Sequence, residues 1–362
     1  PIPFPMAAEY RKLKAKATPD APSRIQGEVL GTGARTPPDI GQYDVKEIFG
    51  EIIIPVIEDS FIHRATIEAG IRYSDYSTTG TSTTWKAGGT IEPIEGFKFR
   101  GMYQVAVRSP NILELFQSPV QSLSNLTNDA CPGAAPTAPR NLCEATGAPT
   151  GTYGGISQPS SGQINTTTSG NPNLDVERAK TYTLGLVFQP TFVPRFSITL
   201  DYFNIKINDL ISAPSQNDIL DGCYSAALNP AQTPNAFCAL ISRNPLTGSL
   251  NGAGETPGVK LASSNLGKLT TAGVDLGMNY TLPLDEVFGS GNGKLRFGFN
   301  ATWLDYYRSQ ATPNSINREC AGYYSTSCTN PRPEWKWNSR IGYSDGPNDV
   351  SRMWNQDSSV LL

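Results

Sequence analysis

Residues 97–108 read FKFRGMYQVAVR, and this stretch shows the period that recurs along the chain. Apolar or small residues occupy every odd-numbered position, and Lys98, Arg100 and Arg108 lie among the even-numbered ones. A period of two places the two sets on opposite faces of a β-strand. Strands of soluble proteins average about five or six residues, whereas a tilted strand of about nine to eleven residues crosses a membrane. The stretch therefore predicts a membrane-spanning strand.

The same alternation recurs in eight further segments, and none of their apolar rows contains a charged residue, although 17% of the chain is charged. In steps of two residues, the rows run over 48–56, 65–73, 83–91, 182–188, 196–202, 272–280, 295–303 and 335–343. Such rows on long strands indicate a face in contact with lipid. Aromatic residues near the strand ends fit the girdles at the two membrane–water boundaries. The alternative is a large soluble β-protein that buries these rows in its core.

The composition excludes several classes of protein. The chain has 362 residues, a net charge of −3 and a single histidine, His63. A nucleic-acid-binding surface needs clustered excess Lys and Arg, and sites built from several imidazoles need more than one histidine. No stretch reaches the roughly 18 apolar residues of a transmembrane helix. We therefore predict no nucleic-acid partner, no metal or cofactor site, no catalytic residues and no enzymatic activity.

The connections between the strands alternate between short and long, apart from one short join at residues 75–80. The long connections cover residues 110–176, 209–265 and 310–333, as in an up-and-down barrel with tight periplasmic turns and long outer loops. Each contains one pair of cysteines: Cys131 and Cys143, Cys223 and Cys238, and Cys320 and Cys328. The close spacing within each pair favours local disulfides in an oxidising compartment over free thiols.

Four segments resemble signatures of TonB-dependent outer-membrane receptors. VRSPNILELF at residues 107–116 is similar to the R-x-P-x-x-x-E-L-F signature of that family. NPNLDVERAKTYTLGLVFQP at 171–190 is similar to its N-P-x-L-x-P-E segment, with Val176 in place of the usual proline. GVDLGMNY at 273–280 and RPEWKWNSRIGY at 332–343 resemble its later barrel strands. The resemblance samples most of the chain.

This resemblance implies an all-β fold, namely an antiparallel up-and-down transmembrane β-barrel with long disulfide-tied outer loops. The chain would form part of the barrel, with about nine or ten of an expected 22 or so strands. We expect an irregular lead-in at residues 1–42, the barrel portion at 43–345, and a truncated or atypical C-terminal end at 346–362.

The resemblance also implies a function in the outer membrane of a Gram-negative bacterium. The implied activity is energy-coupled uptake of a scarce nutrient such as an iron–siderophore complex, cobalamin or a carbohydrate. The implied partners are outer-membrane lipid, a small-molecule nutrient ligand, and the TonB complex, which would be engaged through an N-terminal plug region outside this fragment. A monomer is expected.

The candidate site residues lie on the polar faces of the strands and in the outer loops. Polar-face side chains are predicted to point into the barrel lumen, where they contact ligand, plug or water: Arg72, Lys98, Arg100, Gln104, Arg108 and Arg340. Aromatic residues of the outer loops are candidates for ligand contact: Tyr153, Phe237, Tyr323 and Tyr324.

Two other functions fit parts of the pattern. A passive channel or a structural outer-membrane barrel has the same alternation, and the sequence upstream of the barrel would distinguish it from a receptor. A secreted all-β adhesin or carbohydrate-binding enzyme would bury the apolar rows between stacked sheets. The prediction of a receptor therefore depends on these rows facing hydrocarbon.

Overall fold

The computed structural model describes residues 2–30, 34–126, 129–252, 256–289, 293–313, 315–325, 328 and 330–362. The described strands are β1 (Met6–Ala17), β2 (Asp39–Glu58), β3 (Arg64–Tyr76), β4 (Gly80–Ile94), β5 (Phe97–Arg108), β6 (Val120–Asn125), β7 (Gln163–Ser169), β8 (Glu177–Phe188), β9 (Phe196–Ser212), β10 (Ile241–Ser242), β11 (Gly258–Ala262), β12 (Ser264–Pro283), β13 (Lys294–Gln310), β14 (Arg318–Glu319), β15 (Trp335–Asp345) and β16 (Asn348–Asp357). The α-helices are α1 (Ile112–Phe116), α2 (Arg140–Ala145), α3 (Gln216–Tyr224) and α4 (Asp285–Phe288), and single 3-10 turns lie at Pro22–Arg24, Ser160–Gly162 and Cys238–Leu240.

Eleven strands form one large sheet in the order β1-β2-β3-β4-β5-β8-β9-β12-β13-β15-β16, and the short β14 pairs with β13. Every neighbouring pair is antiparallel. The order is that of an up-and-down barrel, with β6 and β7 and then β10 and β11 set aside in two of the long loops. Within the described residues β1 and β16 are edges, so the barrel is partial. The predicted fold class is confirmed, with slightly more strands than the pattern indicated.

The structure corrects the expected irregular lead-in at residues 1–42, and it shows a strand in the segment expected to be a truncated or atypical C-terminal end, residues 346–362. Within residues 1–42, Met6–Ala17 forms β1, which pairs along its whole length with the first part of β2. Within residues 346–362, Asn348–Asp357 forms β16, which pairs with β15. Both strands were missed because charged residues interrupt their apolar alternation, while the backbone pairing that forms them does not depend on side-chain type.

A short helix shows which face of the sheet is concave. The five-residue helix α1 follows β5 in sequence, yet it packs on β2, three strands away. Ile112 and Phe116 lie against Gly41, where a Cβ would overlap both side chains. Neighbouring strands lie about 4.8 Å apart, so this contact requires the sheet to curve toward the helix. Gly41 shares its row with Glu47, so the polar rows line the concave face and the apolar rows form the convex face.

The apolar rows of the convex face are exposed rather than buried. Ile71 and Leu184 are each 60% exposed, and Ile67 is 54% exposed. In the part of the chain that the structure describes, no second sheet is stacked on this face. The surface therefore fits a hydrocarbon environment and does not fit the core of a soluble sandwich.

Aromatic rings meet across neighbouring strands near both ends of the apolar rows. Toward the long loops, the ring centroids of Tyr182 and Tyr202 lie 5.9 Å apart. Toward the short turns, those of Phe196 and Tyr280 lie 6.1 Å apart. Two bands of aromatic residues that flank an apolar zone are typical of transmembrane barrels. The end of the sheet with the long loops is called the outer end below.

One ion pair of the concave face crosses an intervening strand directly above a glycine. Arg100 of β5 and Asp201 of β9 both lie in register with Gly185 of β8. The guanidinium donates two hydrogen bonds to the Asp201 carboxylate, at 2.8 and 2.6 Å. A Cβ at position 185 would overlap the carboxylate and lie 2.7 Å from Arg100 Nε. The absence of a side chain at Gly185 therefore leaves the path open for this pair.

The same arrangement recurs on the strands that precede these. Glu51 of β2 and Lys86 of β4 are both in register with Gly70 of β3. Lys86 Nζ lies 3.3 Å from Glu51 Oε1. The backbones of such partners are separated by two strand spacings, about 9.6 Å, so their side chains must cross the middle strand close to its backbone. Glycine on the middle strand allows that crossing.

We predict that Gly185→Ala destabilises the sheet by about 1 kcal/mol, because the added methyl group disrupts the hydrogen bonds between Arg100 and Asp201, which are partly exposed to solvent. The measurement is thermal unfolding of the full-length protein in detergent. Gly298→Ala is the matched control, since a Cβ there meets only Asn279 Oδ1 at 3.7 Å. Equal unfolding temperatures for the two variants would show that Gly185 is not required for the ion pair.

Candidate functional site

The motifs VRSPNILELF and NPNLDVER meet at the outer end of the concave face. Arg108 donates to the Glu177 carboxylate at 2.8 and 2.7 Å. It also donates to the Glu114 carboxylate at 2.9 and 3.0 Å. One guanidinium therefore joins β5, α1 and β8, and its charge is compensated by two carboxylates. This geometry gives Arg108 a structural role at the rim.

The two carboxylates of this cluster also bind backbone groups. Glu114 accepts a hydrogen bond from the Asn111 backbone N–H at 2.7 Å, while the Asn111 side chain accepts one from the Glu114 backbone N–H at 2.9 Å. This reciprocal cap fixes the first turn of α1. Glu177 accepts a hydrogen bond from the Ile211 backbone N–H at 2.7 Å and so reaches β9. The cluster thus orders the rim from which the long loops emerge.

The described residues of two long loops, 109–126 and 129–176 of the first and 213–252 and 256–263 of the second, fold together into one unit, called the loop module. Its sheet has the order β10-β11-β7-β6, and β11 and β7 are parallel. A buried apolar cluster lies within the module. Its most buried aliphatic side chains are Leu142, Ile164, Ile219, Leu250 and Val259. These loops therefore carry a hydrophobic core that is separate from the barrel.

The predicted cysteine pairs are all present as disulfides: Cys131–Cys143, Cys223–Cys238 and Cys320–Cys328. The first two belong to the core of the loop module and the third closes the last long loop. A disulfide that closes a loop of about 15 residues contributes roughly 3 kcal/mol by restricting the unfolded chain. The disulfides therefore stabilise segments that have little regular structure.

A buried ion pair lies in the loop module. The side chains of Arg243 and Asp129 are both 0% exposed. Arg243 donates to the Asp129 carboxylate at 2.7 and 2.6 Å, to Thr146 Oγ1 at 3.1 Å, to the Tyr224 hydroxyl at 3.1 Å and to the Gly248 carbonyl at 3.1 Å. All five guanidinium donors therefore have acceptors. The pair joins the two loops of the module across 114 residues of sequence.

Electrostatics keep the Arg243 group charged. Burial lowers the pKa of the guanidinium, but hydrogen bonds and charge from Asp129 and Tyr224 outweigh burial and raise the pKa above its ordinary value. Burial also raises the pKa of the Tyr224 hydroxyl, which therefore stays protonated at neutral pH. The site is a fixed, fully hydrogen-bonded charge pair, and it has a structural role.

Two aromatic candidates for ligand contact pack into the loop module. Tyr153 and Phe237 are partly buried against its core. The Tyr153 hydroxyl donates to the Ala138 carbonyl at 2.9 Å, and the Phe237 ring lies over Gly222, 2.7 Å from the position that a Cβ would take. Both rings therefore contribute to packing, which reduces the surface that they can offer to a ligand.

The other two aromatic candidates are more accessible. Tyr323 is 44% exposed and Tyr324 is 40% exposed, in the loop closed by Cys320–Cys328. The Tyr324 backbone N–H donates to the Leu361 carbonyl at 2.8 Å, which ties this loop to the end of the chain. Among the four ring candidates, these two are the most exposed.

The six lumen candidates all lie in the rows of the concave face. Four of them are paired with carboxylates: Arg72 with Glu47 at 3.6 Å, Lys98 with Glu92 at 3.5 Å, Arg100 with Asp201, and Arg108 with Glu114 and Glu177. The other two are less constrained. Gln104 lines a recess of about 270 Å³. Arg340 donates to Ser351 Oγ at 2.8 Å and lines a recess of about 490 Å³.

Three charged residues that the sequence analysis did not select as sites are strongly constrained: Glu47, Arg243 and Asp129. The Glu47 side chain is 1% exposed and is held by Arg11, Arg72 and Ser74. The alternation placed Glu47 on the polar row, but gave no sign that it would be covered. The pairing of Arg243 with Asp129 has no local sequence signal, because the two residues meet only when the loops fold together.

Neither the helices nor the acidic residues of the described ranges form a membrane span or a metal site. Over the described ranges, no helix is both long and apolar enough to cross a membrane. Within those ranges, no cluster of three or more His, Cys, Asp or Glu side chains is arranged to hold a metal ion.

Comparison with known proteins gives one family and several related folds. A family model described as TonB dependent receptor-like, beta-barrel, matches residues 4–360. A mutant of the ferric enterobactin receptor of Pseudomonas aeruginosa is similar over 98% of this chain and 38% of that chain, with 13% identity and a TM-score of 0.56. The siderophore receptor PirA of Acinetobacter baumannii is similar over 98% and 40%, with 14% identity and a TM-score of 0.53.

A third similar structure is the siderophore receptor PirA of Pseudomonas aeruginosa, with 16% identity, a TM-score of 0.51, and coverage of 98% of this chain and 45% of that chain. This chain thus spans less than half the length of the receptors that it resembles. No curated protein sequence matches it. At these identities, the three structures establish the fold.

We predict that Arg243→Met destabilises the loop module by about 3–5 kcal/mol, because it leaves the Asp129 charge buried without a partner. Arg243→Lys should also destabilise it, since an ammonium group lacks the planar five-donor geometry. The measurement is hydrogen exchange and limited proteolysis of residues 129–262. Arg140→Met is the control, because the Arg140–Glu144 pair is exposed. Equal protection in the Arg140 and Arg243 variants would contradict the prediction.

Proposed function

Because the chain belongs to the TonB-dependent receptor-like β-barrel family, we propose that it forms part of an outer-membrane receptor that imports a scarce small-molecule nutrient. The observation that carries the proposal is the division of the sheet into two faces. Exposed apolar rows on the convex face suit lipid, and charged rows on the concave face suit a hydrated lumen. Members of this family act in nutrient uptake across the outer membrane of Gram-negative bacteria.

The outer end provides features suited to ligand recognition. The loop module has its own core, two disulfides and a buried ion pair, so it is an ordered surface rather than a set of mobile loops. Ordered surfaces bind small molecules with a smaller loss of conformational entropy. Tyr323 and Tyr324 provide exposed aromatic rings at the same end. We therefore assign recognition to the outer loops.

A ferric siderophore is the ligand class to test first. The similar solved structures are receptors for ferric enterobactin and for siderophores. Cobalamin and carbohydrates are the other classes that the family resemblance suggests. Arg340 and Gln104, the two lumen candidates without a carboxylate partner in the described part of the chain, are proposed to contact the ligand or the plug once the barrel is complete.

Energy coupling through TonB distinguishes the proposed receptor from a passive channel. In cells whose only siderophore receptor is the full-length protein, deletion of TonB should abolish uptake of a radiolabelled ferric siderophore while surface binding persists. A receptor binds its ligand at the outer face before energy is used, whereas a passive channel conducts without TonB. Uptake that continues without TonB would favour the channel.

We predict that replacing both Tyr323 and Tyr324 with Ala weakens binding of the ferric siderophore about tenfold, because well-packed aromatic contacts contribute strongly to binding. The measurement is equilibrium binding to the purified full-length protein. Phe61→Ala combined with Phe192→Ala is the matched control, since these rings are 83% and 81% exposed at the short-turn end. Unchanged affinity in the tyrosine variant would remove these residues from the proposed site.

A further inference from the structure

A group of basic residues lies on the convex face at the outer end of the sheet. Lys180 of β8 and Lys206 of β9 are direct partners in the antiparallel register. Arg178 lies two residues before Lys180 in the same row, and Lys268 lies on the neighbouring strand β12, two residues before the partner of Lys206. These four residues are called the cationic row below.

The cationic row is accessible and lacks internal compensation. Arg178, Lys180 and Lys206 are exposed, and Lys268 is half-buried. Among the residues that the structure describes, none of the four has a carboxylate within ion-pair distance. Like charges placed directly opposite each other on adjacent strands destabilise a sheet. The direct opposition of Lys180 and Lys206 therefore calls for an anionic partner from outside the chain.

In the described part of the chain, the acidic residues near the cationic row, Glu319, Asp209 and Asp305, do not form ion pairs with it. Arg308 lies next to the row, in register with Thr270 of β12, and its guanidinium is paired with Glu319 at 3.0 Å. Asp209 and Asp305 are exposed at the same end. Neither of them forms an ion pair within the described residues. The surface of the row therefore keeps an excess of positive charge.

The position of the row along the strands matches the depth of lipid headgroups. Tyr182 lies two residues from Lys180 along β8, toward the apolar zone, and its ring contacts that of Tyr202. Asn204 lies two residues from Lys206 along β9, also toward the apolar zone, and its side chain donates to the hydroxyls of Tyr202 and Tyr306 at 3.3 and 2.7 Å. Two residues of a strand span about 6.6–6.8 Å. The cations thus lie just outside the aromatic band, which marks the membrane–water boundary.

We propose that the cationic row binds the phosphate groups of an outer-leaflet glycolipid, whose acyl chains lie on the apolar rows below. The exposed aliphatic surface that includes Leu184 and Leu200 continues from the row toward the middle of the membrane. A lipid can occupy both surfaces at once, because its charged headgroup and its acyl chains follow each other along the membrane normal in the same order as the cationic row and the apolar surface. The proposal depends on the outer-membrane location and not on the imported nutrient.

The test uses the full-length protein in non-ionic detergent, titrated with bisphosphorylated lipid A and with the same lipid after removal of both phosphates. Native mass spectrometry measures the bound fraction. Wild-type protein should retain the phosphorylated lipid in preference to the dephosphorylated one. Replacing Lys180 and Lys206 with Gln should weaken binding about thirtyfold, since each cation near an anionic surface contributes about fivefold.

The control variant replaces Lys294 and Lys336 with Gln, because these two exposed lysines lie in the concave rows. It should bind lipid A like the wild type. Equal loss in both double variants, or equal binding of phosphorylated and dephosphorylated lipid by the wild type, would overturn the proposal. Binding of inorganic pyrophosphate as tight as that of lipid A would also overturn it, since the site would then not need a lipid. A folded barrel changes its electrophoretic mobility when it is heated. If the Lys180 and Lys206 variant no longer shows this change, it is misfolded, and the binding of the two lipids to the wild-type protein alone tests the proposal.

Discussion

The antiparallel hydrogen-bond ladder from β1 to β16 leaves the sheet with two faces that have opposite solvation requirements. Its convex face consists of apolar rows in which side chains such as Ile71 and Leu184 are mostly exposed. Exposing such a surface to water has a large unfavourable free energy, whereas exposing it to hydrocarbon does not. The backbone groups between the edge strands are paired within the sheet, as a membrane interior requires. An apolar environment for the convex face is therefore the condition on which the other features rest.

The concave face shows how charges are arranged on the other side of the same strands. Carboxylates and basic groups meet across strands, and glycines such as Gly185 open the path between partners that are two strands apart. Arg108 and its two carboxylates apply the same principle at the rim, where they also fix α1. These pairings give the arginine and glutamate of the VRSPNILELF motif a structural role, because Arg108 and Glu114 hold the loop entrance in place.

The loop module follows a different physical rule from the barrel. It lies outside the aromatic band, so it must fold by burying apolar residues away from water, as a small soluble domain does. Small cores are marginal in stability, and the disulfides and the Arg243–Asp129 pair compensate for this. The chain thus has an exposed apolar surface on its sheet and a separate apolar core buried within its loops. The cationic row lies at the boundary between these two regions.

The alternation of side chains determined the membrane strands from sequence, because a period of two fixes which side chains share a face regardless of their distant contacts. The cysteine spacing likewise determined the disulfides, since close pairs in one loop have few other partners. Local pattern did not predict β1, whose lysines interrupt its apolar row, or β7, a short polar strand that pairs with segments far along the chain. Only the tertiary structure decided that Tyr153 and Phe237 pack inward, that Asp129 meets Arg243, and that Lys180 faces Lys206. These contacts depend on the register and on the meeting of distant loops, which no local period encodes.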